Sequence, residues 1–142
     1  MANALFDPGR EGFLAGEIDW DTATIKAALV RGYTFSASHK FVSEVTGAGG
    51  TLVATSAAMT SKTVAAGVAD AADVTFTAVA AGAAITGILV FQSSAATGGA
   101  DVAATAQRLI AWIDTGTGLP VTPNGGDITI RWDNAANRIF KL

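Results

Sequence analysis

The sequence predicts a mainly β domain, a β-sandwich or small barrel with a short N-terminal helix. Three observations predict it. Runs such as residues 74–79 and 127–133 alternate apolar and polar positions, as strands do because successive side chains point to opposite faces. Such runs recur at roughly ten-residue spacing with Gly, Pro, Asn and Ser between them, the pattern of sandwiches and small barrels. Helical periodicity is confined to the first fifteen residues or so and to residues 38–45.

Taken in order, Asp7-Pro8 opens the helix, with Asp as N-cap and Pro at the first helical position, where its missing N–H costs nothing. Glu11 suits the early turns electrostatically, Phe13 and Leu14 give the helix an apolar side, and Gly16 is the stop. Asp19-Trp20-Asp21 turns the chain into a first strand over 24–30. Residues 38–45 are expected to make one or two helical turns with Phe41, Val42 and Val45 on one face. Three glycines make 46–50 a turn. Residues 52–79, rich in Thr, Val and Ala, are expected to supply two or three antiparallel strands. In the clearest of them Val74, Phe76 and Ala78 share one face and Thr75, Thr77 and Val79 the other.

The continuously apolar run 84–91 predicts a strand covered on both sides. Residues 93–107 are low in complexity and longer than a hairpin loop, so a flexible loop reaching towards a neighbour is expected. Residues 109–114 and 127–133 alternate and are expected to be half-buried strands, with Asn124-Gly125 as a hairpin turn between them. Arg138-Ile139-Phe140-Lys141-Leu142 ends as a strand, which would tie the terminus into a sheet or a neighbour. No linker and no fixed repeat divides 1–142, so one domain is expected, with residues 1–20 as an N-terminal helix or arm.

Composition narrows function. The net charge is −3 and the nine Lys and Arg residues are scattered singly, so neither nucleic acid nor an anionic membrane surface is an expected partner. No apolar run approaches the ~20 residues that span a bilayer, and the opening residues lack the pattern of a secretory signal. Cysteine is absent, which removes disulfides and thiolate chemistry. Charged residues make up 15% against the ~25% usual for soluble domains, so much of the surface is expected to be covered by partners.

The motifs read as structural. His39 is the only histidine, too few for a zinc site or a nucleophile–base pair, and is expected to be an exposed polar residue. Asp19 with Asp21, and Asp70 with Asp73, suit turns better than a calcium loop or acid–base chemistry. Gly98-Gly99 and Gly125-Gly126 lack the Lys-Ser/Thr of a phosphate loop. Trp112 and Trp132 fall in alternating runs and suit core or interface packing. Trp20, between two acids, is expected at the surface. No catalytic residue, cofactor or metal site is expected.

Three blocks carry a resemblance: residues 1–26 with gaps, residues 68–79, and residues 109–142. The most specific piece is Gly118-Leu119-Pro120-Val121-Thr122-Pro123-Asn124-Gly125-Gly126-Asp127-Ile128-Thr129-Ile130. Together they resemble a family of small structural proteins encoded by tailed bacteriophages, from which residues 93–107 depart as a longer Ala/Gly-rich insertion. The resemblance implies a virion component, a head decoration (cement) or tail accessory protein, and brings no catalytic residue with it. The expectation is a capsid decoration protein, made in the host cytoplasm and placed on the outer surface of the head. It would bridge capsomers by binding the major capsid protein and further copies of itself, as a trimer. The candidate contact residues are Leu5, Phe6, Phe13, Leu14, Trp20, Phe140 and Leu142, within the segment 2–20 and at the C-terminal end, together with the 93–107 loop. The alternative is a tail- or fibre-associated module that binds host-surface carbohydrate, with Trp20 or Tyr33 as stacking platforms. An enzyme acting on a polysaccharide would need two carboxylates about 5–9.5 Å apart in a cleft, and is not expected.

Overall fold

The computed structural model describes residues 3–142. With 35% strand and 11% helix the chain is mainly β, and its sheets are antiparallel. In chain order the elements are β1 (Ala4–Leu5), α1 (Asp7–Ala15), β2 (Ile25–Arg31), α2 (Val42–Gly47), β3 (Thr51–Thr55), β4 (Thr63–Ala65) and β5 (Val68–Asp70). There follow β6 (Val74–Phe76), β7 (Gly87–Gln92), β8 (Ser94–Ala95), β9 (Gly98–Asp101), β10 (Arg108–Ile113), β11 (Ile128–Ile130) and β12 (Phe140–Lys141).

A five-stranded sheet, β1-β10-β7-β2-β3, forms the centre of a β-sandwich-like arrangement. Period two sends Ile25, Ala27, Leu29, Ile88 and Val90 to one face, where they meet Phe76 and Ile130 of the β11-β6 sheet and Ala69 and Phe140 of the β12-β5-β4 sheet. The intervening Ala28, Val30, Leu89 and Phe91 face the other way and pack with Tyr33, Val42 and Val45. Both faces are therefore covered, and all six residues of β7 are buried, as its unbroken apolar run predicts.

β10 departs from the half-buried strand expected of 109–114. Its register with β7 shifts between Leu109 and Ala111, so Ile110 and Ala111 both enter the larger core while Leu109 and Trp112 enter the smaller one. The second face is covered by elements distant in sequence. α1 lies against β10 through Gly9 and Gly12: a Cβ at Gly9 would stand 2.7 Å from the Leu109 carbonyl oxygen. The helix thus buries its glycines rather than the expected Phe13–Leu14 side. Its cap is Phe6, not Asp7, because the Phe6 amide donates to the Ile110 carbonyl at 3.0 Å and fixes extended backbone there. Gly16 ends it in the left-handed region at φ 73°.

Four further expectations are corrected. Residues 93–107, expected as a flexible loop, contain the β8–β9 hairpin over 94–101. The Thr24 amide donates to Ser94 Oγ at 2.9 Å, Thr24 Oγ1 donates to the Gly99 carbonyl at 3.0 Å, and Lys26 pairs with Asp101 at 2.6 Å. Asn124-Gly125 does not join two paired strands, since β11 pairs with β6 and Val121 bridges to Ile85; Gly125 instead donates to the Val79 carbonyl at 2.8 Å. The 74–79 alternation ends at Phe76, because Ala78 takes a positive φ and turns Val79 into the core. Residues 52–79 hold four strands, not two or three.

Candidate interaction surface

The residues proposed from sequence as contacts separate into two groups. Leu5, Phe6, Trp20 and Phe140 are buried in the chain's own core. Phe6 is drawn in by the amide bond that starts α1 and packs against Phe35 with centroids 5.0 Å apart. Trp20, expected at the surface, donates Nε1–H to the Asp70 carbonyl at 3.2 Å and meets the Phe140 ring edge-on at 5.2 Å. Phe13 is half-buried, and Leu14 and Leu142 are exposed. Ala2, the first residue of the expected contact segment, lies outside the described residues.

A hollow of about 250 Å³ is lined by two of the second group, Phe13 and Leu142. Its floor is Ile18, Trp20, Ala69 and Phe140, and its walls are Phe13, Val64 and Leu142. Among the described residues, the large hydrophobic side chains most open to solvent are Leu14 (90% exposed), Val64 (58%) and Leu142 (56%). Two of them line this hollow, and the third follows the lining Phe13 along α1. Scattered exposed leucines need no explanation, but Val64 and Leu142 with the half-buried Phe13 around one hollow make an apolar patch.

Asp19 and Asp21 form the polar rim. Asp19 Oδ1 accepts the amide protons of Asp21 at 3.2 Å and Thr22 at 3.0 Å, and the Thr22 amide leads in holding its carboxyl below the usual carboxylate range. The Asp19 amide donates to Gln92 Oε1 at 3.0 Å, so the rim is tied to the end of β7. Behind it, Lys62 donates to the Ala23 carbonyl, and burial lowers the ammonium pKa. On the far flank of α1, Arg108 donates to the Glu17 carboxylate and, at 2.7 Å, to the Pro8 carbonyl. That hydrogen bond and the guanidinium charge hold Glu17 below its ordinary pKa. These contacts fix α1, and with it Phe13 and Leu14, on the central sheet.

A larger groove of about 800 Å³ is floored by Leu29 and Ile88 and walled by Ile113, Leu119 and Ile128. Trp132 lines it but is mostly buried, with its indole N–H donated to the Ala72 carbonyl at 3.1 Å. Neither platform named for carbohydrate is open. Trp20 is 3% exposed, and Tyr33 is packed edge-on against Trp112 with its hydroxyl 2.9 Å from His39 Nδ1. His39 is accordingly half-buried and hydrogen-bonded rather than freely exposed. Among the described residues, no three His, Asp or Glu side chains gather as a metal site, and no helix is long and apolar enough to cross a membrane.

No family model matches the chain, and neither does any curated protein or solved structure. The site therefore stands on its own geometry.

Of the residues around the hollow, Val64 and Gly67 carry no signal in the sequence. Val64 sits in a short strand exposed at all three positions, where neither alternation nor a turn motif marks it.

Proposed function

We propose that this chain is a structural protein that works by docking on other polypeptides, and, from its resemblance to structural proteins of tailed bacteriophages, that it decorates the outer surface of a capsid. The observation that carries the reading is the apolar hollow lined by Phe13, Phe140 and the exposed Val64 and Leu142, with Leu14 open to solvent elsewhere on α1. An apolar patch on a charge-poor domain gains by being covered, at roughly 25 cal/mol for each Å² removed from water. Many copies on a lattice then multiply a weak single contact. A decoration protein stabilises a head in this way: expansion or internal pressure has to break many such contacts at once.

The test uses heads assembled without this protein. Wild-type chain added back is expected to bind at fixed stoichiometry to the major capsid protein and to raise the temperature at which heads burst. Leu14→Asp with Leu142→Asp is expected to lower occupancy at least tenfold, read by electron microscopy and by gel quantitation. Equal occupancy by the double variant, or wild-type chain found only at the tail, overturns the proposal.

A further inference from the structure

The larger groove runs along a strand edge. Residues 128–133 all line it, and their burial alternates: Ile130 and Trp132 are buried, while Thr129, Arg131 and Asp133 are exposed. Side chains of a strand point by turns to its two faces, so a groove that touches both sets lies beside the backbone itself. One edge of β11 is taken by β6, with Ile128 opposite Phe76 and Ile130 opposite Val74. The Trp132 amide points the same way, donating to Asp73 Oδ1 just before β6. Alternation then turns the N–H and C=O of Thr129 and Arg131 away from β6, towards the groove. None of these groups has a hydrogen-bond partner among the described residues. From this open edge we infer that the groove takes an extended segment of another polypeptide, added beside β11 as a further strand. The site shares no lining residue with the hollow and goes beyond the capsid reading.

The chemistry of the groove selects this occupant. An acyl chain would cover the aliphatic floor of Leu29 and Ile88 but leave the amides and carbonyls of Thr129 and Arg131 without partners. A second main chain pairs with them at the ordinary strand spacing of about 4.8 Å. Every second side chain of that segment then turns to the floor, so its sequence alternates apolar and polar residues. The lining charges do not select a strongly charged ligand: Arg131 and Asp133 differ in sign, and Arg138 already pairs with Asp70 at 3.2 Å. Residues 128–133 span roughly 20 Å when extended, which sets the segment at about six residues. A second copy's β11 is the wrong shape for the place. Its edge is recessed between the same walls, and two recessed edges cannot meet, whereas a free segment can enter.

Amide NMR of the full chain tests the inference, with capped peptides of about six residues in which Val, Ile or Leu alternates with Thr ahead of a lysine tail. At least one peptide is expected to bind with a Kd below about 1 mM, to shift the Thr129 and Arg131 amides and to slow their hydrogen exchange. N-methylation of the peptide amides along one edge is expected to weaken binding at least tenfold, and along the other edge to leave it within about twofold. Thr129→Pro removes an outward N–H at an edge position, where proline is tolerated. Its circular dichroism should match wild type while peptide binding falls at least tenfold; should that variant not fold, the two methylated peptides decide. The inference is overturned by no binding from any peptide at about 1 mM, by equal loss on both methylated edges, or by laurate held in the groove where peptides are not. Concentration-dependent protection of the Thr129 and Arg131 amides in the free chain overturns it too, by placing a second copy there. Head occupancy through the hollow is scored separately, so failure at the groove leaves the capsid reading standing.

Discussion

Gly87 sits in the most buried strand of the molecule, where a Cβ would stand 2.3 Å from Trp112 Cζ2. The indole packs against that glycine, donates Nε1–H to the Asp114 carboxylate at 3.2 Å and meets Tyr33 in an edge-on pair with centroids 5.0 Å apart. Gly87→Ala forces either the ring or the strand to shift, and overpacking of this kind costs about 1–3 kcal/mol. Urea denaturation is expected to show that loss. Trp112→Leu, which clears the space above Gly87, should make the same alanine far less harmful. Equal penalties in both backgrounds would mean that the indole is not the obstacle. At this scale the sequence was a partial guide. Trp112 is legible as a packing residue from its place in a run that reads as a strand, whereas Trp20 sits between two acids and looks polar by context. What buries it is the Asp70 carbonyl, fifty positions away, and the Phe140 ring. Local context cannot register a partner at that distance.

The elements show the same division. α1 and β7 are legible because their signals are local: Pro and Gly punctuation for the helix, an unbroken apolar run for the strand. The β8–β9 hairpin is not, because its Ser, Ala, Gly and Thr residues carry no hydrophobic period; Ser94 and Thr24 hydrogen bonds hold it instead. The start of α2 depends on one carboxylate. Glu44 accepts the Lys40 amide at 2.6 Å and the Phe41 amide at 2.8 Å, two donors the helix leaves without partners. Burial pushes its carboxyl pKa up, but the two amides, with His39 and Lys40 charge, outweigh it and leave the pKa lowered. A carboxyl whose folded pKa is depressed contributes stability that is present above its unfolded pKa of 4.5 and is lost as pH falls through the folded value. Glu44→Ala is therefore expected to cost about 0.5–1 kcal/mol at pH 7, in line with loss of a helix cap, and much less at pH 3. Chemical denaturation at the two pH values checks it, and a pH-independent penalty would assign the loss to something other than the charged cap.

For the whole molecule, the decisive feature is that the larger core draws from almost every layer. Ile25, Leu29 and Ile110 come from the central sheet, Phe76 and Ile130 from β6 and β11, and Ala69 and Phe140 from β5 and β12, all in one cluster. The fold class was legible because period-two alternation survives in enough of these strands. The arrangement of small sheets was not, since three-residue strands such as β5 and β11 find their partners only through the shared core. Sheets that share a core should not unfold one at a time. The tryptophans allow that to be measured, because they report from separate places: Trp20 in the turn before β2, Trp112 in the smaller core, and Trp132 after β11, where its amide donates to Asp73 at 3.0 Å. Single-tryptophan variants, with the other two replaced by Phe, are expected to give coincident urea midpoints within each variant for fluorescence and far-UV circular dichroism. If Trp132 fluorescence changed well before the dichroism did, the β11-β6 sheet would be a separately melting layer and the common core would not bind the sandwich into one cooperative unit.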